Sequence, residues 1–257
     1  DLEGVAGMAT TFGSVPFKNN IAREDSIEVA RLKAAGAIVV GKTNTPEFGF
    51  MAFTKNLLYG VTRNPWNLER TPGGSSGGSS AAIAGGLLPL ATGSDGGGSV
   101  RIPACYVGCF GLKPSNGRIP SEPTLGMLGW NDTAVLGPLT RSVRDAAVVL
   151  RAIAGYDPRD ITSQKFLAED YAAALDRMPE PMTVALACNF FADMDPEVKR
   201  VVDTAILQLQ QFARLVEMDL PIDRDRTVSS AETFAYHAEE ITERIRALGP
   251  NPLRGSK

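Results

Sequence analysis

Histidine is almost absent from this chain, which has a single one, His237, among its 257 residues. A Ser-His-Asp hydrolase would therefore have one candidate base, and an isolated histidine is more often a surface residue than a catalytic one. Cysteine is also scarce. Cys105, Cys109 and Cys188 are too few for a disulfide framework and fit reduced thiols in the cytoplasm. With so few ligands we expect neither a metal site nor another cofactor.

Strong charge and long apolar runs are missing as well. The net charge is -3, so the chain carries no basic footprint for nucleic acid. No apolar run reaches the roughly 18 residues of a membrane span. The opening residues, D-L-E-G-V-A-G-M, lack a basic stretch followed by an apolar core and do not resemble a signal peptide. These absences, with 44 % hydrophobic residues, predict a cytoplasmic globular protein.

The apolar positions alternate between helical and strand periods, which predicts an α/β fold. Helices are predicted at residues 26–35, 79–88, 141–154, 196–216 and 232–248. Strands are predicted at residues 37–41 and 183–187, with further strands starting at 87–91 and 215–218. The first helix is expected to be capped by Ser26 and to end at Gly36.

The most unusual stretch is the Gly- and Ser-rich tract at residues 71–101. Such a composition is typical of flexible linkers. The tract is interrupted, however, by A-A-I-A and L-L-P-L-A, which form cores and which a linker does not need. We therefore interpret it as folded backbone shaped around a site.

That interpretation starts from Gly96, Gly97 and Gly98, which directly precede Ser99. Glycine lets backbone approach a ligand closely, and neighbouring N–H groups can point at one spot and hold an anion. Beside a serine, the spot suits the oxyanion of a tetrahedral intermediate. Asp95 can hold this loop by accepting backbone N–H bonds, although an ordinary turn carboxylate explains it equally well.

A second serine, Ser75, lies in G-G-S-S-G at residues 73–77, which satisfies the nucleophile-elbow pattern G-x-S-x-G. That pattern requires a strand just before the serine, and the preceding N-P-W-N-L-E-R-T-P contains two prolines. The prolines argue against such a strand. An α/β-hydrolase-type esterase that uses Ser75 and His237 is kept as the alternative hypothesis.

Three sequence runs indicate which family the chain resembles: P-G-G-S-S-G-G-S-S-A-A-I-A-G-G, A-T-G-S-D-G-G-G-S-V-R-I-P-A and G-L-K-P-S-N-G-R-I-P. They closely resemble the amidase signature family, and the likeness extends over about residues 1–160. The resemblance implies a mixed, twisted β-sheet core flanked by helices on both faces, here truncated at both ends. We expect one such domain over 1–257, with the signature core at 1–160 and a variable region at 161–257.

The resemblance also implies a Ser-Ser-Lys triad in an amidase that cleaves a carboxylic amide C–N bond. Ser99 matches the nucleophile that forms the acyl-enzyme, and Ser75 matches the bridging serine on a cis peptide that relays the proton. The N–H groups of Gly96, Gly97, Gly98 and Ser99 match the oxyanion hole. Three supporting polar positions are matched by Ser76, Asp95 and Arg101.

The family's catalytic lysine is expected just before Asp1, the residue at which this sequence begins. Lys42, in G-K-T-N, matches a different family position with no relay role. The chain is therefore predicted to be an incomplete amidase, impaired as it stands, and the alternative is a catalytically inactive amidase-like subunit.

The expected substrate is a small-molecule amide. The sequence does not decide whether the protein forms a homodimer. Subunits that hydrolyse glutamine in transamidation complexes usually carry Thr before Gly-Gly-Ser and Gln after Ser-Ile-Arg. This chain has Gly96 and Ile102 there, which favours a free-standing amide hydrolase, similar to bacterial enzymes acting on aryl amides or cyclic amide dimers.

Overall fold

The structure is a computed structural model that describes residues 1–121, 133–166, 169–177, 182–221 and 238. The chain divides into two units. One contains the described residues up to Ala174 together with residue 238, and the other begins at Leu175. None of the described helices is both long and apolar enough to cross a membrane.

The helices of the first unit begin where the sequence offers a cap. Helix α1, Ile27–Ala34, starts after Ser26, whose side chain accepts the N–H of Val29, and it ends before Gly36 at φ +92°. Helix α4, Val143–Ile153, is capped by Ser142, which accepts the N–H of Asp145 over 3.1 Å. Both predicted helices are thus confirmed to within two residues.

A three-stranded antiparallel sheet lies at the centre of this unit. It consists of β3 (Leu90–Asp95), β5 (Val135–Thr140) and β4 (Phe110–Gly111) in the order β3-β5-β4. The β3–β5 register runs from Leu90 opposite Thr140 to Asp95 opposite Val135. The chain enters the glycine triplet directly from the end of β3.

Helices cover both faces of this sheet. Leu136 and Leu139 of β5 are an odd number of positions apart and so point to opposite faces. Leu136 packs with Leu150 of α4 and Leu32 of α1, whereas Leu139 packs in the other cluster, with Ile83. Ile83 belongs to α2 (Gly77–Ala84), which packs with α3 (Arg101–Val107). The predicted α/β layering, with helices on both faces of the sheet, is confirmed.

Shorter elements complete the described part of the first unit, among them 3-10 helices at Val15–Phe17 and Glu47–Gly49. Strands β1 (Lys55–Asn56) and β2 (Gly60–Val61) form a hairpin, and α5 spans Tyr171–Ala174. The second unit is a β-α-β segment, in which β6 (Met182–Ala187) and β7 (Ala213–Met218) pair in parallel and α6 (Pro196–Leu209) connects them. Asp195 caps α6 by accepting the N–H of Glu197.

Three predicted elements differ from the structure. The helix predicted at 79–88 is α2, which begins two residues earlier, at Gly77, and ends four residues earlier, at Ala84. Residues 37–41 form no strand, and Ile38 and Val40 are 86 % and 72 % exposed, so the predicted buried strand is wrong. The helix predicted at 196–216 ends at Leu209, because the last part of that apolar pattern belongs to β7. The helix predicted at 232–248 lies outside the described residues, apart from residue 238.

Candidate active site

The two serine segments lie side by side. Ser75 and Ser76 directly precede α2, and Ser99 lies in the loop between β3 and α3. The N–H of Ser76 donates to the carbonyl oxygen of Ser99 over 3.1 Å. This backbone bond, made by the residue after Ser75, joins the two loops that carry Ser75 and Ser99.

Ser75 and Ser99 differ in their access to solvent. Ser75 is 1 % exposed, and the Gly74–Ser75 peptide bond is cis, as the resemblance implied. Ser99 is only partly buried. A hydroxyl enclosed by protein can exchange a proton with a neighbour, but a substrate carbonyl can be met only by a hydroxyl that reaches the surface. Of the two serines, Ser99 is the more accessible.

The glycines of the tract are packed too tightly for a flexible linker. A Cβ added at Gly73 would lie 2.8 Å from Cα of Pro103, and one at Gly74 would lie 2.7 Å from the nitrogen of Phe53. Gly98 has φ +120°, and a Cβ there would lie 2.8 Å from Cδ1 of Ile102. Glycine is needed at these positions because backbone and side chains fill the space around them.

Asp95 organises the loop that carries Ser99. Its carboxylate is fully buried and accepts the N–H groups of Gly98 (2.7 Å), Val100 (3.2 Å) and Arg101 (3.3 Å). The guanidinium of Arg101 adds a bidentate contact at 2.9 and 2.8 Å. Burial raises the pKa of Asp95, but the hydrogen bonds from Arg101 and the backbone outweigh it and hold this pKa below its ordinary value.

The remaining N–H groups of the loop are unengaged. Within the described part of the chain, nothing accepts a hydrogen bond from the N–H of Gly96, Gly97 or Ser99. The N–H of Gly98, in contrast, donates to Asp95. Of the four N–H groups predicted to bind an oxyanion, three are available and the fourth shapes the loop.

Ser76 ties α2 to the end of the sheet. Its hydroxyl accepts the N–H of Ser94 over 3.3 Å and lies 3.4 Å from the carbonyl oxygen of the same residue, and Ser76 is buried. The supporting position predicted for Ser76 therefore has a physical basis, since this contact fixes the start of α2 against β3.

Asp1 lies in a separate polar cluster. Its carboxylate accepts the N–H groups of Thr11 (3.1 Å) and Gly13 (3.0 Å), and its nitrogen donates to the carbonyl of Thr43. Lys42 lies with its Nζ 3.6 Å from this carboxylate and donates to the carbonyl of Ala9. Burial lowers the pKa of Lys42 to about 8, but none of its hydrogen bonds in the described part reaches either candidate serine.

A small cavity of about 20 Å³ separates this cluster from the serine segments. Asp1, Thr45 and Ser76 are among the residues that line it. The hydroxyl of Thr45 is buried and has no hydrogen-bond partner among the described residues. The cavity is large enough for one water-sized polar group.

Sequence reasoning missed the loops that back Ser75. A Cβ added at Gly49 would lie 3.5 Å from Oγ of Ser75. Thr54, which is 1 % exposed, donates its hydroxyl to the carbonyl of Gly73 over 2.9 Å. The only signal for Gly49 was that the run K-T-N-T-P-E-F just before it belongs to the family resemblance.

The esterase alternative gains no support. Strand β2 ends at Val61, and among the described residues no strand stands directly before Ser75. His237 lies outside the described residues. The described part also holds no group of three or more His, Cys, Asp or Glu side chains that could bind a metal ion.

Comparison with known proteins matches the chain to a protein family. The sequence profile of the family described as Amidase matches residues 1–245. A glutamyl-tRNA(Gln) amidotransferase subunit from Roseiflexus castenholzii is 45 % identical over 223 residues, covering 86 % of this chain and 45 % of the relative. The putative amidase AmiB2 of Mycobacterium tuberculosis is 49 % identical over 183 residues, covering 71 % of this chain and 37 % of the relative.

The similar solved structures include amide-hydrolysing enzymes. 6-Aminohexanoate cyclic dimer hydrolase complexed with substrate superposes with a TM-score of 0.83 at 34 % identity, covering 96 % of this chain and 54 % of the other. A bacterial aryl acylamidase of the amidase signature family superposes with a TM-score of 0.81 at 30 % identity, covering 96 % and 52 %. The chain spans about half the length, or less, of these proteins.

Proposed function

The chain belongs to the amidase family, and from that premise we propose that it carries the two serines of an enzyme that hydrolyses a carboxylic amide C–N bond. The observation that carries the proposal is the contrast between Ser75 and Ser99. The buried serine and the partly exposed serine lie on segments joined by a backbone hydrogen bond, beside three unengaged N–H donors. A nucleophile, a proton relay and an oxyanion hole need this arrangement.

In the proposed reaction, a neutral lysine directly before Asp1 takes the proton of the Ser75 hydroxyl, and Ser75 takes the proton of Ser99. Oγ of Ser99 attacks the amide carbon, and the N–H groups of Gly96, Gly97 and Ser99 bind the oxyanion. The proton returns through Ser75 to the leaving nitrogen as the C–N bond breaks. Water then attacks the acyl ester, loses its proton through the same relay, and releases the acid and the free serine.

The small cavity between Asp1 and Ser76 supports the position of the base. It has room for one polar group, and it adjoins both the Asp1 cluster and the serine segment. Thr45, whose buried hydroxyl has no partner among the described residues, is one of the residues that line it. Burial there would lower the pKa of a lysine, as it lowers that of Lys42 nearby, and so favour the neutral base that the reaction needs.

Small amides are the proposed substrates, with aryl amides and cyclic amide dimers as the first to try. Gly96 and Ile102, in place of the Thr and Gln usual in glutamine-hydrolysing subunits, favour this choice. The proposal takes the protein to be a cytoplasmic, free-standing enzyme that acts as a monomer or homodimer. Because a component of an amidotransferase is among the relatives, glutamine belongs in the substrate panel.

Steady-state kinetics on the longer protein, with its native residues before Asp1, tests the proposal. With an acyl p-nitroanilide as substrate, Ser99→Ala and Ser75→Ala should each lower kcat by about 10³-fold or more, because members of a relay act as a unit. Ser80→Ala is the matched control, since Ser80 is a buried serine whose hydroxyl donates to the carbonyl of Gly77 in the same helix.

Two outcomes would contradict the proposal. Activity that survives Ser99→Ala but is lost in His237→Ala would favour the esterase alternative. A folded longer protein that hydrolyses none of the amides in the panel would indicate an inactive amidase-like subunit.

A further inference from the structure

Two phenylalanines, Phe12 and Phe48, hold left-handed backbone conformations, with φ of 54° and 51°. Bulky residues rarely adopt this region, and where they do, the surrounding structure has to compensate for the strain. The two residues are neighbours in space. The N–H of Phe48 donates to the carbonyl of Phe12 over 2.8 Å, and the rings stack with centroids 6.2 Å apart. The strain is therefore concentrated where two loops meet.

Phe12 belongs to the loop that holds Asp1. The residues on either side of it, Thr11 and Gly13, donate their N–H groups to the Asp1 carboxylate. Phe12 and Gly13 are both left-handed, with φ of 54° and 66°, and the backbone curled in this way presents the N–H groups of Thr11 and Gly13 to one carboxylate. The anchoring of Asp1 thus depends on the backbone conformation at Phe12.

Phe48 belongs to the loop that backs Ser75. Gly49 follows it at φ +76°, and a Cβ at Gly49 would lie 3.5 Å from Oγ of Ser75 and 3.4 Å from Cδ1 of Leu2. The backbone directly after Phe48 therefore closes one side of the Ser75 hydroxyl. A change in the conformation of Phe48 would move this wall.

The two loops are in direct contact beyond the phenylalanine pair. A Cβ at Gly13 would lie 3.2 Å from the nitrogen of Glu47, so the Asp1 loop rests on the backbone that leads into Phe48. Phe17 packs edge-on against both rings, with centroids 5.2 Å from Phe12 and 5.8 Å from Phe48. Phe17 itself is not among the left-handed residues of the described chain.

We propose that Phe12 and Phe48 are positioning residues for the proton relay: their hydrogen-bonded, stacked pair fixes the Asp1 loop relative to the wall behind Ser75. The inference rests on the proposed function, in which the base stands before Asp1 and Ser75 receives its proton from Ser99. A displacement of about 1 Å between such groups can cost about 10²-fold in rate.

The test compares Phe12→Leu and Phe48→Leu with the control Phe17→Leu in the longer protein with its native residues before Asp1. Leucine keeps an apolar side chain but removes the stacked ring. The first two variants should lower kcat by about 10- to 100-fold with KM unchanged, whereas the control keeps the parent kcat. The acid limb of the pH–rate profile should move to higher pH in the first two only, because water admitted to the base raises its pKa towards the ordinary lysine value.

Phe48→Gly separates positioning from stability. Glycine accepts a φ of 51° without strain, so this variant relieves the backbone while it removes the ring. Loss of kcat and a shifted acid limb in Phe48→Gly, at an unfolding midpoint equal to that of Phe17→Leu, would support the inference.

Parent kcat and pH profile in Phe48→Gly and Phe12→Leu would overturn the inference, and so would an equal loss in Phe17→Leu. A failure of the proposed function is recognised separately, because the parent activity would then survive Ser75→Ala or Ser99→Ala.

Discussion

Asp95 is the residue on which the conformation of the glycine loop depends most directly. Its carboxylate has no exposed surface and accepts three backbone N–H groups as well as the guanidinium of Arg101. Because the N–H of Gly98 is drawn towards Asp95, the neighbouring N–H groups of Gly97 and Ser99 are left to face other partners. One buried side chain thus arranges both the backbone around Ser99 and the N–H groups beside it.

We expect Asp95→Asn to lower the free energy of unfolding by about 3 kcal/mol at pH 7, because an amide has one acceptor oxygen and leaves several buried donors unpaired. The lowered pKa of Asp95 means that its carboxylate stabilises the fold above about pH 4 and less as the pH falls towards the folded pKa. The difference between parent and variant should therefore shrink at low pH, as urea unfolding at pH 3 and pH 7 would measure.

Asp157→Asn is the matched control for this variant. Asp157 also binds an arginine, Arg159, with two contacts of 2.9 and 2.7 Å, but it lies outside the glycine loop. Both variants should be destabilised, and only Asp95→Asn should also lose kcat in the longer protein. An Asp95→Asn variant with parent kcat would contradict the role given to this carboxylate.

Single residues also mark the limit of prediction from sequence. Composition and spacing pointed to the glycine triplet and Ser99, whereas the roles of Ser75 and Asp95 came from the family resemblance. The left-handed conformations of Phe12 and Phe48 could not be predicted, because local preference disfavours them and only tertiary packing produces them. Tertiary structure likewise decides that the N–H of Gly98 donates to Asp95, which the sequence alone did not predict.

Among the helices and strands, α1 buries a side chain that is rarely found inside a protein, a glutamate. Glu28, in its first turn, is completely buried, and neither carboxylate oxygen has a hydrogen-bond partner among the described residues. Burial and the charge of Glu3 raise the pKa of Glu28 well above its ordinary value. An acid with a raised pKa favours folding at low pH and costs stability as the pH rises towards the folded pKa.

Replacing this acid by an apolar side chain of similar length should stabilise the protein. We expect Glu28→Met to raise the free energy of unfolding at pH 7 by about 1–3 kcal/mol, since it removes an unsatisfied buried group. The gain should be smaller near pH 4, where the acid is largely protonated in the unfolded chain as well, and should grow towards pH 7, where the unfolded chain releases that proton. Urea unfolding at the two pH values measures it.

The exposed Glu69 provides the control, and Glu69→Met should change stability little at either pH. A Glu28→Met variant that is less stable than the parent at pH 7 would mean that the carboxylate has a favourable partner after all.

Helices with a serine cap and a clear apolar face were predictable, whereas short and interrupted strands were not. Strand β5 reads V-L-G-P-L-T, and Gly137 and Pro138 disguise it because proline is rare inside sheets. Its Pro138 is accommodated opposite Thr92, and its carbonyl accepts the N–H of Leu112 over 3.1 Å. At residues 37–41 the error was the opposite one: a strand was predicted and none forms. β-branched residues make a strand only where another strand pairs with them.

At the scale of the molecule, the site lies where one sheet ends. Strand β3 delivers Asp95 and the glycine loop, α2 begins beside it at the buried serines, and α3 follows Ser99. The family and this layering were predictable from sequence, because the motif runs are long. The predicted division into a core at 1–160 and a variable region at 161–257 stays a prediction.

For the whole molecule we propose that Ser99, and not Ser75, is the nucleophile of a serine–serine–lysine relay. The most direct measurement treats the longer protein, with its native residues before Asp1, with a serine-reactive fluorophosphonate and maps the labelled peptide. We predict a label on Ser99 that is lost when the residue before Asp1, the expected lysine, is replaced by alanine. A label on Ser75, or no label in the folded longer protein, would contradict the claim.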